Sequence, residues 1–267
     1  KNGVHEIFYS MSLVNYNTLA ELMNFAEENL IKMRLIADFK WVTFRDLELE
    51  RFGEIPVMKV HTSPLDEWDK QLIKRIFDIV FSLFVIVGLL SWLLPLLAIY
   101  IKIDSKGPAF FRQRRTGRDN KTFWCYKLRT MYVNDESDTL QARPNDERIT
   151  KIGKFLRNSS LDELPQFFNV LLGDMSVVGP RPHMLKHTQD FSAEVSKFMS
   201  RHKIKPGITG LAQSKGYRGD TAELEKKKNR VKLDLFYMNN WSFYFDLVII
   251  VNTAWSILKP ITRRQPH

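Results

Sequence analysis

A chain of 267 residues can hold one large domain, or a medium domain with a fragment of another. Its formal charge of +10 and isoelectric point near 9.6 call for an anionic partner: nucleic acid, anionic lipid or a phosphorylated substrate. One cysteine, Cys125, excludes an internal disulfide and favours a reducing compartment, and within FWCYKL it reads as a packed core residue. The chain opens at Lys1 without a methionine or a signal-peptide pattern, so it reads as a piece of a longer protein.

In residues 1–62, Leu19, Leu22, Met23, Ala26 and Leu30 mark an amphipathic helix, and MRLIADF (33–39) and GEIPVMKV (53–60) read as strands. That is too little to close a core alone, and no glycine-rich phosphate loop supports a dinucleotide role. SPLDEWDKQ (63–71) reads as a linker. From Ile79 to Ile101 no charge interrupts the chain, enough for a bilayer that needs about 20 residues. Lys74 and Arg75 precede this run, and Lys102, Lys106, Arg112, Arg114 and Arg115 follow it. Basic flanks on both sides place both ends on the cytoplasmic face. Gly88, Ser91 and Pro95 mark a bend, since proline removes a helical hydrogen bond. The expectation is a re-entrant helix–break–helix rather than a spanning helix. Asp78, costly in lipid, is expected at the surface or paired with a base.

Gly107-Pro108 reads as a turn and Ala109–Phe111 as a short strand. Arg112 and Arg114 are expected on solvated surface. Lys127 and Arg129 alternate with Tyr126, Leu128 and Met131, so a strand would point both bases to one face. The polar segment 134–148 reads as a surface loop.

Residues 157–183 form the centre. Leu164, Phe167, Phe168, Leu171 and Leu172 recur at helical spacing, and Pro165 belongs in a first turn. Asp162 and Glu163 therefore stand at a helix start, where free N–H groups and the dipole favour ionised carboxylates. Such a pair suits a nucleophile or a metal ligand, and with Ser160 it equally fits a structural capping box. Arg157 lies upstream, and Pro180-Arg181-Pro182 stiffens a guanidinium for bidentate phosphate recognition.

Downstream, Pro206-Gly207 and Gly210 mark tight turns. A charged helix follows Asp220-Thr221, its KKKNR cluster solvated or facing a membrane. FYFDLVIIVNTAWSIL (243–258) is too short and polar to span. It reads either as an interfacial helix, with Trp241 and Trp255 near headgroups and Lys259, Arg263 and Arg264 facing anionic lipid, or as a core helix. His183, His187 and His202 lack metal-ligand spacing and read as structural.

The words FLRNSSLDELPQFFNVLLGDMSVVGPRP, KLRTM (127–131), KPGITGLAQ (205–213) and NWSFYFDL (240–247) resemble the bacterial sugar transferases that attach hexose-1-phosphate to polyprenyl phosphate. The resemblance runs from Lys74 to Leu258 and is nearest to undecaprenyl-phosphate glucose phosphotransferases. It implies an α/β (α+β) membrane-associated catalytic domain over 105–260. A re-entrant membrane helix over 74–104 precedes it, after a Rossmann-like fragment (1–62) and a linker (63–73), with a tail at 261–267. Family members usually carry Ser-Pro at the bend; here Trp92 follows Ser91 and the proline comes at 95.

By the same likeness Asp162 is the nucleophile that forms a covalent phosphosugar and expels UMP, and Glu163 is its metal neighbour or base. Mg²⁺ sits on Asp162 and Glu163, and Arg157, Arg181, Lys127 and Arg115 face phosphates. GYRGDT (216–221) resembles members that use UDP-glucose. The implied partners are a UDP-sugar, undecaprenyl phosphate and anionic lipids of the bacterial inner membrane. Catalysis on its cytoplasmic face would open exopolysaccharide, capsule or O-antigen synthesis, and self-association would run through a region N-terminal to the given sequence. The competing readings are a glycosyltransferase releasing UDP, a basic nucleic-acid module and an anchored scaffold. The uncharged run and the paired acids speak against nucleic acid.

Overall fold

The computed structural model describes residues 6–10, 16–28, 31–36, 47–52, 55–60, 63–133, 146–185, 198–217 and 224–258. Residues 134–145 of the loop predicted at 134–148, His187, the Asp220-Thr221 cap, Lys259, Arg263, Arg264 and the tail 261–267 lie outside them. The chain divides into two units, Lys1–His61 and Thr62–His267.

In the first unit β1 (Glu6–Ser10) and β2 (Lys32–Ile36) pair in parallel, joined by helix α1 (Tyr16–Glu28). β3 (Leu47–Phe52) and β4 (Ile55–Val60) form an antiparallel pair. The helix and the strands predicted near 33–39 and 53–60 are present, and β1 adds a parallel crossover.

The second unit begins with helix α2 (Trp68–Val85), a π-helical turn (Ile86–Leu90) and α3 (Ser91–Asp104). Together they make one apolar helix of 37 residues, long enough to cross a membrane. The expected break at Gly88, Ser91 and Pro95 is not a break. The backbone stays helical, Gly88 lies inside the π turn, and the helix continues past Pro95. The irregular turn is satisfied locally, because Ser91 Oγ donates to Val87 O at 2.7 Å and Trp92 Nε1 to Gly88 O at 3.1 Å.

This helix is built inside out. Lys74, Asp78 and Ser82, spaced by four, are buried against the protein, as are Leu90, Leu94, Leu97 and Ile101 farther along. Val80, Phe84, Val87, Trp92, Ile99 and Ile103 stand exposed. Asp78 is buried rather than at the surface; it lies in the field of Lys74 but makes no ion pair among the described residues. Its Oδ1 accepts from Ser176 Oγ at 3.0 Å and from the Val177 N–H at 2.9 Å. Lys74 and Arg75, expected as flanking cations, are also used internally. Lys74 pairs with Asp246, and Arg75 donates to the carbonyls of Val170 and Leu171.

Beyond α3, β5 (Phe110–Thr116) and β6 (Thr122–Leu128) form an antiparallel hairpin. There follow α4 (Lys151–Ser159), α5 (Gln166–Leu172), β7 (Ser176–Val178) paired in parallel with β8 (Gly207–Thr209), and α6 (Leu211–Ser214). Helices α7 (Leu224–Asn239) and α8 (Phe243–Leu258) close the unit. A single core joins Leu97 and Ile101 of α3, Cys125 and Leu128 of β6, Val170 of α5, Val178 of β7, Tyr237 of α7 and Ile249 of α8. Helix α8 packs into the core, as one of the two readings had it: Asp246 and Ile249 are buried, while Tyr244, Val251 and Trp255 are exposed. Trp241, expected near headgroups, is instead buried and donates to Asp246 at 3.1 Å.

Candidate active site

Strand alternation in β5 and β6 sorts the basic residues. Arg115 lies opposite Phe123, Gln113 opposite Cys125 and Phe111 opposite Lys127, on one face. Arg112 and Arg114 take the other face, exposed, both over the Trp124 ring at 4.8 and 5.1 Å. Cys125 is buried, and burial pushes its thiol pKa up. Lys127 and Arg129 do not share a face, because the strand ends at Leu128. Arg129 turns back to the carbonyls of Ser105 and Lys106, at 2.8 and 2.5 Å, and fixes the exit of α3.

Helix α4 is capped at its start by Thr150, whose hydroxyl accepts from Gly153 N at 2.9 Å. Gly153 presses against the Thr130 carbonyl, where any Cβ would collide. At its end Ser160 adopts the left-handed conformation, φ 58°, and turns the chain into a short 3₁₀ turn, Leu161–Glu163. The capping box does not form, since the Ser160 side chain caps nothing there and only its carbonyl accepts from Glu163 N. Asp162 and Glu163 thus sit on a separate 3₁₀ turn, with Pro165 at the N-cap of α5.

The predicted apolar stripe on α5 is split. Phe167 and Val170 are buried, but Phe168 and Leu172 are exposed, and the inward positions include Asn169. The Asn169 side chain accepts from Tyr126 N at 2.9 Å and donates to Trp124 O at 2.6 Å, clipping α5 to β6 beside Lys127.

This frame brings five of the six predicted residues into one electrostatic group. Glu163 receives Lys127 Nζ at 2.7 Å and the Arg181 fork at 2.7 and 3.0 Å. Burial pushes the Glu163 pKa up, but Arg181 and Lys127 outweigh it and hold the carboxyl well below the usual range. The carboxylate in turn raises the Arg181 pKa. Asp162 is 9 % exposed and has no hydrogen-bond donor on its carboxylate among the described residues. Burial raises its pKa, opposed by Lys127 and reinforced by Glu163. Burial at Asp162 therefore works against the ionised form that a helix start was expected to favour, whereas at Glu163 the two cations support it. Arg157 lies within the field of Asp162 and is held by Thr130, Nε to Oγ1 at 2.8 Å; burial lowers its pKa. Arg115 faces Gln113 Oε1 at 2.6 Å and the Pro182 carbonyl, supporting the Arg181 segment from behind.

The donor set can accept Mg²⁺ only together with substrate. Among the described residues no group of three or more His, Cys, Asp or Glu converges. Mg²⁺ commonly rests on one or two carboxylates plus phosphate oxygens, and the bare Asp162 beside Glu163 fits that pattern. Asn169, Thr130 and Arg201 escaped the sequence reading; of these only Asn169, a polar residue inside FFNVLL, leaves a signal there.

Glu163 is thus held by two cations, and beside it Asp162 is buried, without a donor among the described residues, and in the field of Arg157. The sequence profile of the bacterial sugar transferases matches residues 69–260, and the chain belongs to that family. It is 40% identical to a UDP-glucose:undecaprenyl-phosphate glucose-1-phosphate transferase of Klebsiella pneumoniae over 256 residues, covering 96% of this chain and 55% of that protein. A protein of the same name from Escherichia coli is 40% identical over 94% of this chain and 54% of its own length. Another, from Caulobacter vibrioides, is 43% identical over 73% of each. The chain spans about half the length of the first two relatives.

Proposed function

We propose that this chain carries the catalytic unit of a transferase that moves hexose-1-phosphate, glucose-1-phosphate in the first instance, from a UDP-sugar to undecaprenyl phosphate. The observation that carries the reading is the contrast inside the acid pair: Glu163 is saturated by Lys127 and Arg181, while Asp162 is left bare. A Asp162 carboxylate oxygen attacks the phosphorus that bears the sugar. The bond from that phosphorus to the bridging oxygen breaks, and UMP leaves with the electron pair. An oxygen of undecaprenyl phosphate then attacks the same phosphorus and releases the carboxylate, so no proton transfer is required at Asp162. Lys127, Arg157 and Arg181 neutralise charge as it shifts to the leaving phosphate, with Glu163 orienting two of them. Mg²⁺ would be held by Asp162 together with phosphate oxygens of the substrate, since Lys127 and Arg181 already occupy Glu163, and it would withdraw charge from the diphosphate.

The same reading places the apolar helix in one leaflet of the bacterial inner membrane, with the catalytic unit on the cytoplasmic face. It is supported by how the helix is tied at both ends to one unit: Lys74 and Asp78 near its start, and Asp104 Oδ2, accepting from Ile152 N at 3.1 Å, at its end. A spanning helix would put those ties on opposite sides of a hydrocarbon core about 30 Å thick, whereas both belong to one folded unit. Single cysteines at Lys70 and Lys106, in a Cys125→Ser background, should be labelled from the same side of the membrane; labelling from opposite sides refutes the re-entrant placement.

The deciding assay uses nanodisc-held protein with UDP-glucose, undecaprenyl phosphate and Mg²⁺. UMP is the expected product, lost in Asp162→Asn. UDP would mean that the sugar alone moves, and the mechanism would fall.

A further inference from the structure

Behind Arg181-Pro182-His183 lies a second set of buried charges that the transfer chemistry does not use. Arg201 (1 % exposed) belongs to the 3₁₀ helix Phe198–Lys203, and Arg230 (4 %) and Asp234 (2 %) stand one turn apart on α7. Arg201 Nη2 is 2.6 Å from Asp234 Oδ2 and donates to the Arg181 carbonyl at 3.0 Å. Its Nη1 is 2.6 Å from His183 Nε2. A guanidinium cannot accept, so that ring nitrogen must, and His183 is neutral with its proton on Nδ1. Burial, then Arg201 and Arg230, keep the His183 pKa well below its ordinary value. Among the described residues the cluster therefore sets two guanidiniums, Arg201 and Arg230, against one carboxylate, Asp234.

The surplus sits on Arg230. Among the described residues its Nε and Nη2 are both buried without an acceptor, as is Arg201 Nε, and Asp234 Oδ2, close to Arg201, receives no hydrogen bond of good geometry either. Buried donors of this kind call for a missing partner, and an unbalanced buried cation is costly. Nε and Nη2 form one edge of the guanidinium, the edge that grips two oxygens of a phosphate or carboxylate in parallel. Burial, followed by the Arg201 charge, lowers the Arg230 pKa to about 9, and Arg181 and Glu163 both act on it, so the cluster adjoins the catalytic pair electrostatically.

We propose that Arg230, with Arg201, forms an anion subsite adjoining the Glu163–Arg181 pair that receives a phosphate group through the free Nε/Nη2 edge. The site rests on the orphaned donors; that its ligand is a phosphate rests on the transferase reading. The group belongs either to the nucleotide or to the polyprenyl phosphate.

The test needs no turnover. The full chain in nanodiscs is melted in chloride buffer at constant ionic strength, alone and with inorganic phosphate, UMP or a short polyprenyl phosphate. The Asp162→Asn parent and its Arg230→Met and Arg230→Lys derivatives are compared. Without ligand, Arg230→Met should melt about 2–4 °C above its parent, because an unbalanced cation is gone. Phosphate should narrow that gap, since it balances charge only where Arg230 is present; binding at the catalytic pair would shift both proteins alike. Arg230→Lys should keep part of the response. The soluble or lipid phosphate that narrows the gap more identifies the source. A gap unchanged by all three ligands, or Arg230→Met melting below its parent, overturns the proposal. Either result leaves the UMP assay, and the function it tests, untouched.

Discussion

Two buried carboxylates in this unit have opposite surroundings. Asp246, fully buried on α8, accepts from Lys74 Nζ at 2.7 Å, Tyr237 Oη at 2.7 Å and Trp241 Nε1 at 3.1 Å. Every lone-pair direction it needs is met, and the knot ties α2, α7 and α8 together. Asp162 is nearly as buried and accepts nothing among the described residues. A buried acid with its donors in place supports the fold, whereas one without them holds reactivity in reserve, since its oxygens remain free for phosphorus or a metal.

The comparison breaks most sharply by substitution. Asp162→Asn should lower transfer by at least about 10³-fold, with no loss of melting temperature, because it removes a charge that burial already disfavours. Asp246→Ala should do the reverse. Lys74 would be left buried and unpaired, and urea unfolding should show about 3–5 kcal/mol lost.

The pH dependence sharpens the same contrast within the acid pair. Asp162 must be ionised to attack, and its pKa is raised, so the acid limb of the transfer rate should lie above the ordinary carboxylate value of 3.8. An acid limb at or below that value would contradict the reading. Glu163 has the opposite shift. Its folded pKa is depressed, so its stabilising contribution is complete above its unfolded value of 4.5 and declines as pH falls toward the folded one. Glu163→Gln should flatten the acid limb of the melting temperature below about pH 4.5. The smallest effect is expected from Asn169→Ala, which strips Tyr126 N and Trp124 O of their partner and should cost about 1–3 kcal/mol in urea unfolding.

Much of this was legible in residue order. Asp162, Glu163, Lys127, Arg157 and Arg181 were named from local patterns and family wording, and they converge because rigid turns at Ser160 and Pro180–Pro182 separate them by fixed geometry. The apolar run was legible from composition. Its form was not, because the π turn depends on which carbonyls Ser91 and Trp92 reach. The buried partners of Asp78, Lys74 and Arg201 lie 98, 172 and 33 residues away, respectively at Ser176, Asp246 and Asp234, and no local pattern encodes such pairs.

The sequence by itself determined where negative charge, cations and apolar length occur, because helix and strand periods and the stiffness of proline act over a few residues. Only the tertiary structure decided which acid is saturated and which is bare. Protonation and reactivity depend on desolvation and on charges brought within a few ångströms, and both arise when distant segments pack.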